Sequence, residues 1–140
     1  MKYLLDTNVL SEIRKPRGSP RVKAFVDSLR EEDTFISVLS VGEIACGIEK
    51  LPPGPKKTEL LLWLGQKLPE YFGNRIIPLD VDIMTEWGII QGRTLQTLPV
   101  FDSLLAASAL ARRLTMVTRN TKDFEKIQGL KLLNPWLEGP

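Results

Sequence analysis

Four short segments put oxygen-bearing side chains where a chain of alternating strands and helices leaves a strand. Asp6 follows the apolar run Tyr3-Leu4-Leu5, and Glu43 lies in Ser40-Val41-Gly42-Glu43, shortly after Thr34-Phe35-Ile36-Ser37. Asp102 heads the run Ser103-Leu104-Leu105-Ala106-Ala107, and Arg119-Asn120 follows Val117-Thr118. Taken singly, each has a structural use. Asp6 and Asp102 suit the N-cap position of the helices they precede, Ser40-x-x-Glu43 has the form of a capping box, and Thr121 could cap a short helix over 122–126. Taken together, they change the question, because ligands in an open parallel sheet bind beyond the carboxyl ends of the strands. Two unit charges ~4 Å apart repel by about 4 kcal/mol at an effective dielectric of 20, so Asp6, Glu43 and Asp102 at one edge require shifted pKa values or a cation. Oxygen-only ligands suit Mg²⁺ or Mn²⁺, which can activate water and neutralise a phosphodiester. The chemistry indicated is hydrolytic phosphoryl transfer.

What the sequence lacks narrows this further. It contains no histidine, which removes Ser-His-Asp and Cys-His nucleophiles, a histidine base and imidazole zinc sites. Acid–base work falls to carboxylates, lysines or a metal-activated water. Cys46 is the single cysteine, so neither an intrachain disulfide nor a cysteine-rich zinc site can form. No phosphate-binding glycine loop of the GxxxxGK[ST] or GxGxxG type occurs, and no GxSxG elbow. The opening Met-Lys-Tyr-Leu-Leu-Asp has no secretory apolar region and no apolar run reaches membrane-spanning length, so the expectation is a cytoplasmic protein with no membrane association.

With 140 residues, 43% of them hydrophobic, and Lys+Arg 19 against Asp+Glu 17, the chain reads as one globular domain over 1–140 with no decisive bulk charge. Only Arg14 to Arg30 is locally basic, carrying Arg14, Lys15, Arg17, Arg21, Lys23 and Arg30 against Asp27. A polyanion could dock there, or the segment is the solvated face of one helix and its loop.

Hydrophobic periodicity supplies the elements that must position the acids. Strands are predicted at 2–5, 34–37, 75–79, 114–118 and 131–133. Helices are predicted at 9–15, 20–30, 41–50, 58–72 and 81–97, with a turn at 54–58. A further helix, Ser103 to Arg113, is apolar almost all round and therefore buried on most sides. The helices at 41–50 and 58–72 should pair as a hairpin. Strands alternating with helices give an α/β fold of three layers, α/β/α, with a mostly parallel central sheet.

Five segments also resemble a known family in order and spacing: Leu5 to Glu12, Ser37 to Ile44, Pro99 to Ala107, Val117 to Asn120, and Leu133-Asn134-Pro135-Trp136. They are similar to PIN-domain ribonuclease toxins of the VapC family, nearest the FitB-like branch. The resemblance implies a PIN-like fold and Mg²⁺- or Mn²⁺-dependent endonucleolytic cleavage of RNA. It also implies the toxin part of a type II toxin–antitoxin system, with an RNA substrate, a cognate antitoxin and a homodimer. By position, Asp6, Glu43 and Asp102 correspond to the family's acidic metal-site residues, with Asn120 as the fourth catalytic position. Some relatives carry an acid there, and Asp123 stands three residues later. The alternatives are a catalytically impaired PIN-like module that binds RNA or a partner, and a receiver-like signalling domain. Trp63, Trp87 and Trp136 read as core or interface fillers rather than base-stacking platforms, while Arg112, Arg113, Arg119 and Lys122 are open to phosphate contact or helix capping.

Overall fold

The computed structural model describes residues 1–137; the last three positions of the expected 1–140 domain lie outside the described residues. The chain runs β1 (Tyr3–Leu5), α1 (Thr7–Arg14), α2 (Pro20–Ser28), β2 (Thr34–Ser37), α3 (Val38–Glu49), α4 (Pro55–Leu62), α5 (Leu68–Phe72) and β3 (Ile76–Ile77). It continues through α6 (Val81–Arg93), α7 (Val100–Arg112), β4 (Thr115–Val117) and β5 (Leu132–Leu133). The strands form one sheet in the order β3-β2-β1-β4-β5, and every pair is parallel.

Side chains alternate across a strand, and here both faces are covered by helices. Leu4 and Met116 point into a cluster with Ile83, Leu105 and Phe124, on the side of α6 and α7. Tyr3, Leu5 and Val117 point the other way, into Leu10, Val22, Phe25 and Phe72 from α1, α2 and α5. Helix α7 is buried continuously from Ser103 to Ala109, as its composition predicts. Trp87 belongs to the first core, donating its indole N–H to Ser103 Oγ at 2.9 Å.

The boundaries differ from the sequence expectation where caps were misread. Helix α3 begins at Val38, because Ser37 rather than Ser40 is its N-cap, accepting from Leu39 N at 3.0 Å. The Ser40-x-x-Glu43 capping box does not form. Helix α7 begins at Val100 after Pro99, so Asp102 sits in the first turn and makes no capping bond. The expected turn at 54–58 is helix from Pro55 onward, with Gly54 at the N-cap. Residues Trp63–Lys67 widen into a π turn, in which Leu68 N donates to Trp63 O. Pro69, next in line, has no N–H to offer and crowds the carbonyl one turn back, which explains the wider turn. Helix α6 stops at Arg93, and the expected helix at 122–126 is only a 3₁₀ turn over Thr121–Asp123.

At the edge of the sheet away from the acids, Arg75 ties three segments together. Its guanidinium donates to Glu31 O at 2.6 Å, Thr34 O at 2.8 Å and Thr34 Oγ1 at 2.9 Å, and also to Tyr71 O. These bonds fix the start of β3 against the start of β2. Arg75→Ala should therefore destabilise the fold by on the order of 2–3 kcal/mol, since charge-assisted bonds to Thr34 and to two further carbonyls are lost together. Urea denaturation reads this as a lower midpoint at unchanged slope; an unchanged midpoint would refute it.

Candidate functional site

Parallel register sets the level at which the site forms. Leu5 pairs with Val117 and Leu4 with Phe35, so one residue beyond β1 Asp6 stands level with Thr118 and Ser37. From β1 the chain moves outward to β2 and β3, then returns to the other side of β1 with β4. The switch point thus lies between β1 and β4, where a crevice opens in folds of this kind. Asp6 and Thr118 stand on its two sides, and Asp6 N bonds to Val117 O at 3.0 Å.

Asp6 is buried, with 7% of its surface exposed. Its Oδ1 accepts from Thr7 N at 2.7 Å, the capping role expected, and its Oδ2 accepts from Thr118 Oγ1 at 2.8 Å. Thr118 in turn accepts from Asn120 N at 3.1 Å and Asn8 Nδ2 at 3.3 Å. Burial pushes the Asp6 carboxyl up from its ordinary value; the hydrogen bonds from Thr118 and Thr7 oppose the rise, and the Glu43 charge adds to it.

Glu43 reaches the same edge from α3. Thr7 Oγ1 lies 2.9 Å from Glu43 Oε1 and 2.8 Å from Ser40 Oγ. A hydroxyl has one proton and a carboxylate can only accept, so Thr7 Oγ1 donates to Glu43 and accepts from the Ser40 hydroxyl. Asp102 comes from the first turn of α7. Burial pushes its carboxyl up, and the charges of Asp6 and then Asp123 push it further. The structure therefore brings Asp6, Glu43 and Asp102 into one electrostatic neighbourhood and adds Asp123 to it. Asn120 is exposed, and its backbone carbonyl caps the 3₁₀ turn by accepting from Asp123 N at 3.1 Å.

Sequence reasoning missed the residues that hold these acids: Thr7, Asn8, Ser40 and Thr118. Ser40 and Thr118 are fully buried. Their signal was a hydroxyl at a position where the apolar period called for a hydrophobe. The basic stretch is dispersed: Arg14 stacks on Trp63 at 4.0 Å, Lys23 donates to Lys15 O at 2.6 Å, and Arg30 pairs with Glu32 and Asp33.

Among the described residues, no group of three or more acids is already close enough to enclose a metal ion. The donor chemistry nonetheless fits a hard divalent cation. Every side chain at the edge offers oxygen, and Mg²⁺ is ordinarily held by one or two carboxylates, water and substrate phosphate rather than by an all-protein cage.

A family model described as PIN domain matches residues 3–130. The chain belongs to the PIN-domain family. That membership displaces the receiver-like alternative. This PIN domain is 35% identical to the protein named Toxin FitB from Neisseria gonorrhoeae, over 95% of this chain and 97% of the relative. It is 32% identical to the VapC ribonuclease Y4jK of Sinorhizobium fredii, over 95% of this chain and 96% of the relative. Among solved structures, it resembles the chain in the crystal structure of FitAcB from Neisseria gonorrhoeae with a TM-score of 0.89 at 34% identity, covering 96% of this chain and 98% of that one.

The raised carboxyls carry a stability consequence. A carboxyl whose folded pKa exceeds its unfolded value keeps its proton longer when folded, so stability falls as pH rises between the two values. Asp102 makes no capping bond that would be lost on substitution. In chelator at pH 7, Asp102→Asn should thus melt higher than the parent, with the gap closing as pH falls through the carboxylate range. A lower melting temperature at pH 7 would contradict the repulsion.

Proposed function

We propose that this chain is a Mg²⁺- or Mn²⁺-dependent endoribonuclease, the toxin component of a type II toxin–antitoxin system acting in the cytoplasm. The observation that supports the reading is Asp6 at the switch point of a PIN domain, with Glu43 and Asp102 each within electrostatic reach of it. Relatives named as VapC ribonucleases support it, including the tRNA(fMet)-specific endonuclease VapC of Shigella flexneri, 31% identical over 94% of this chain. Among the described residues, no helix is long and apolar enough to cross a membrane.

A bound divalent cation would supply water activation and charge neutralisation at the phosphodiester. The chain's own residues do the rest. Asp6 and Asp102 offer carboxylates that burial and neighbouring charge push up from their ordinary value, a cost that a cation would offset, and Asp6 is aimed by Thr118 and Thr7. Glu43 is oriented by Thr7, which Ser40 orients in turn. Asn120 remains the proposed fourth position, contributing a neutral amide that can orient a water or a phosphate. The charge of Asp123 on Asp102 supports a share for Asp123 as well.

The solved neighbours include complexes titled FitAcB and FitAB, which supports a cognate antitoxin as partner. A groove of about 500 Å³ between α1 and the α3–α4 hairpin suits an amphipathic segment. Ile44, Leu60 and Trp63 line it, Arg14 and Lys56 edge it, and it ends at Thr7 and Glu43. A homodimer belongs to the same proposal: Val100 and Phe101, in the turn that bears Asp102, and Leu95, in the loop before it, expose apolar surface that a second copy would cover. A single-chain mass by light scattering would remove that part.

One observation favours the catalytically impaired alternative, namely that the acids do not already enclose a cation. RNA cleavage separates the two. Asp6→Ala, Glu43→Ala and Asp102→Ala should each lower the Mg²⁺-dependent rate by roughly 10²-fold or more, the scale expected when a metal-site ligand is lost. Asn120→Ala should lower it more than Asp123→Ala. Full activity in Asp6→Ala or Asp102→Ala defeats the assignment, and loss confined to Asp123→Ala moves the fourth position there.

A further inference from the structure

Four cations near the end of the chain were open to phosphate contact or to structural use, and the structure separates three of them. Arg112 pairs with Asp80, the N-cap of α6, and so joins α7 to α6. Arg113 adopts the left-handed conformation, φ 57°, that ends α7. Arg119 does neither. Its guanidinium stacks over the Trp136 ring at 5.1 Å from the centroid, and among the described residues no carboxylate lies within ion-pair distance of it. Glu12 is the acid that senses Arg119, but its oxygens are engaged by Ser19 N at 2.7 Å and Lys15 Nζ at 3.4 Å.

The backbone of Arg119 is held on both sides. Its N–H faces Asn8 Oδ1 at 3.5 Å, and its carbonyl accepts from Asn134 Nδ2 at 3.2 Å. Asn134 is buried and also accepts from Trp136 N at 2.9 Å, so one amide fixes both the arginine and the ring beneath it. Arg119 follows Thr118, whose hydroxyl donates to Asp6. A planar guanidinium stacked on an aromatic face keeps its in-plane N–H groups free to form a fork matching phosphate geometry, and the stack removes rotamer freedom before any ligand arrives.

We infer that Arg119, stacked on Trp136, is an RNA-phosphate anchor that grips the backbone beside the phosphodiester held at the acid edge. The inference rests on the ribonuclease reading above and adds a residue that orients the substrate strand. Trp136 is in this account a support for the arginine and not a platform for bases.

The test is binding of a fluorescently labelled single-stranded RNA oligonucleotide in EDTA, read by anisotropy over a range of KCl concentrations, beside cleavage kinetics in Mg²⁺. Arg119→Gln should weaken binding roughly tenfold, the scale of one charge-assisted pair, and make the slope of log affinity against log salt shallower by about 0.7. Its melting temperature should stay that of the parent, and its cleavage defect should lie in KM rather than kcat. Arg119→Lys should keep the slope while losing part of the affinity, and Trp136→Leu should fall between Arg119→Gln and the parent. Parental affinity and slope in Arg119→Gln overturn the anchor while leaving the ribonuclease reading intact, as does a lowered melting temperature with binding unchanged. A parent protein that neither binds nor cuts RNA overturns both.

Discussion

Burial of one carboxylate organises this molecule's functional edge. Asp6 sits where β1 ends between two parallel neighbours, with 7% of its surface exposed. A carboxylate so placed must be hydrogen-bonded or lose its charge, since burial without partners is costly. The fold supplies the partners from both sides of the switch point, Thr118 from beyond β4 and Thr7 from the first turn of α1. Those two threonines then recruit the rest: Thr7 reaches Glu43 and Ser40 on α3, while Thr118 collects Asn8 and the backbone of Asn120.

The helices are placed by the same logic of paired functions. On α1, Thr7, Ser11 and Arg14 face the groove beside α3 and α4, while Asn8 and Glu12 face the loop that carries Arg119. One short helix therefore divides the groove from the arginine–tryptophan stack, with the acids at its head. On α7, Ser103 is locked by Trp87 and Gln91 and donates to Val100 O at 2.9 Å, which fixes the turn bearing Asp102.

The fold class was legible because its signals are periodic and local: Tyr3-Leu4-Leu5, Thr34 to Ser37 and the Ala/Leu run of α7 could only be buried on both faces or nearly so. The acids were legible by type and placement at strand ends. Their supports were not. In sequence Ser40 has the form of a cap because Glu43 stands three residues later, whereas the actual cap, Ser37, reads only as the last residue of a strand. Thr118 looked like a strand terminus, because a hydroxyl aimed across the sheet at Asp6 depends on register between segments over a hundred positions apart. The electrostatic effect of Asp123 on Asp102 is not legible in sequence, since it depends on how a 3₁₀ turn folds back toward α7.

The account turns on the acid edge being a divalent-cation site whose carboxyls are strained until it is filled. Calorimetric titration of Mn²⁺ into the RNA-free protein, beside the Asp6→Asn/Asp102→Asn double variant, tests this most directly. The account predicts saturable binding to the parent at pH 7, weakening as pH falls and protons compete for the raised carboxyls, and no binding to the double variant. Equal binding by both proteins, or none by the parent, would contradict it.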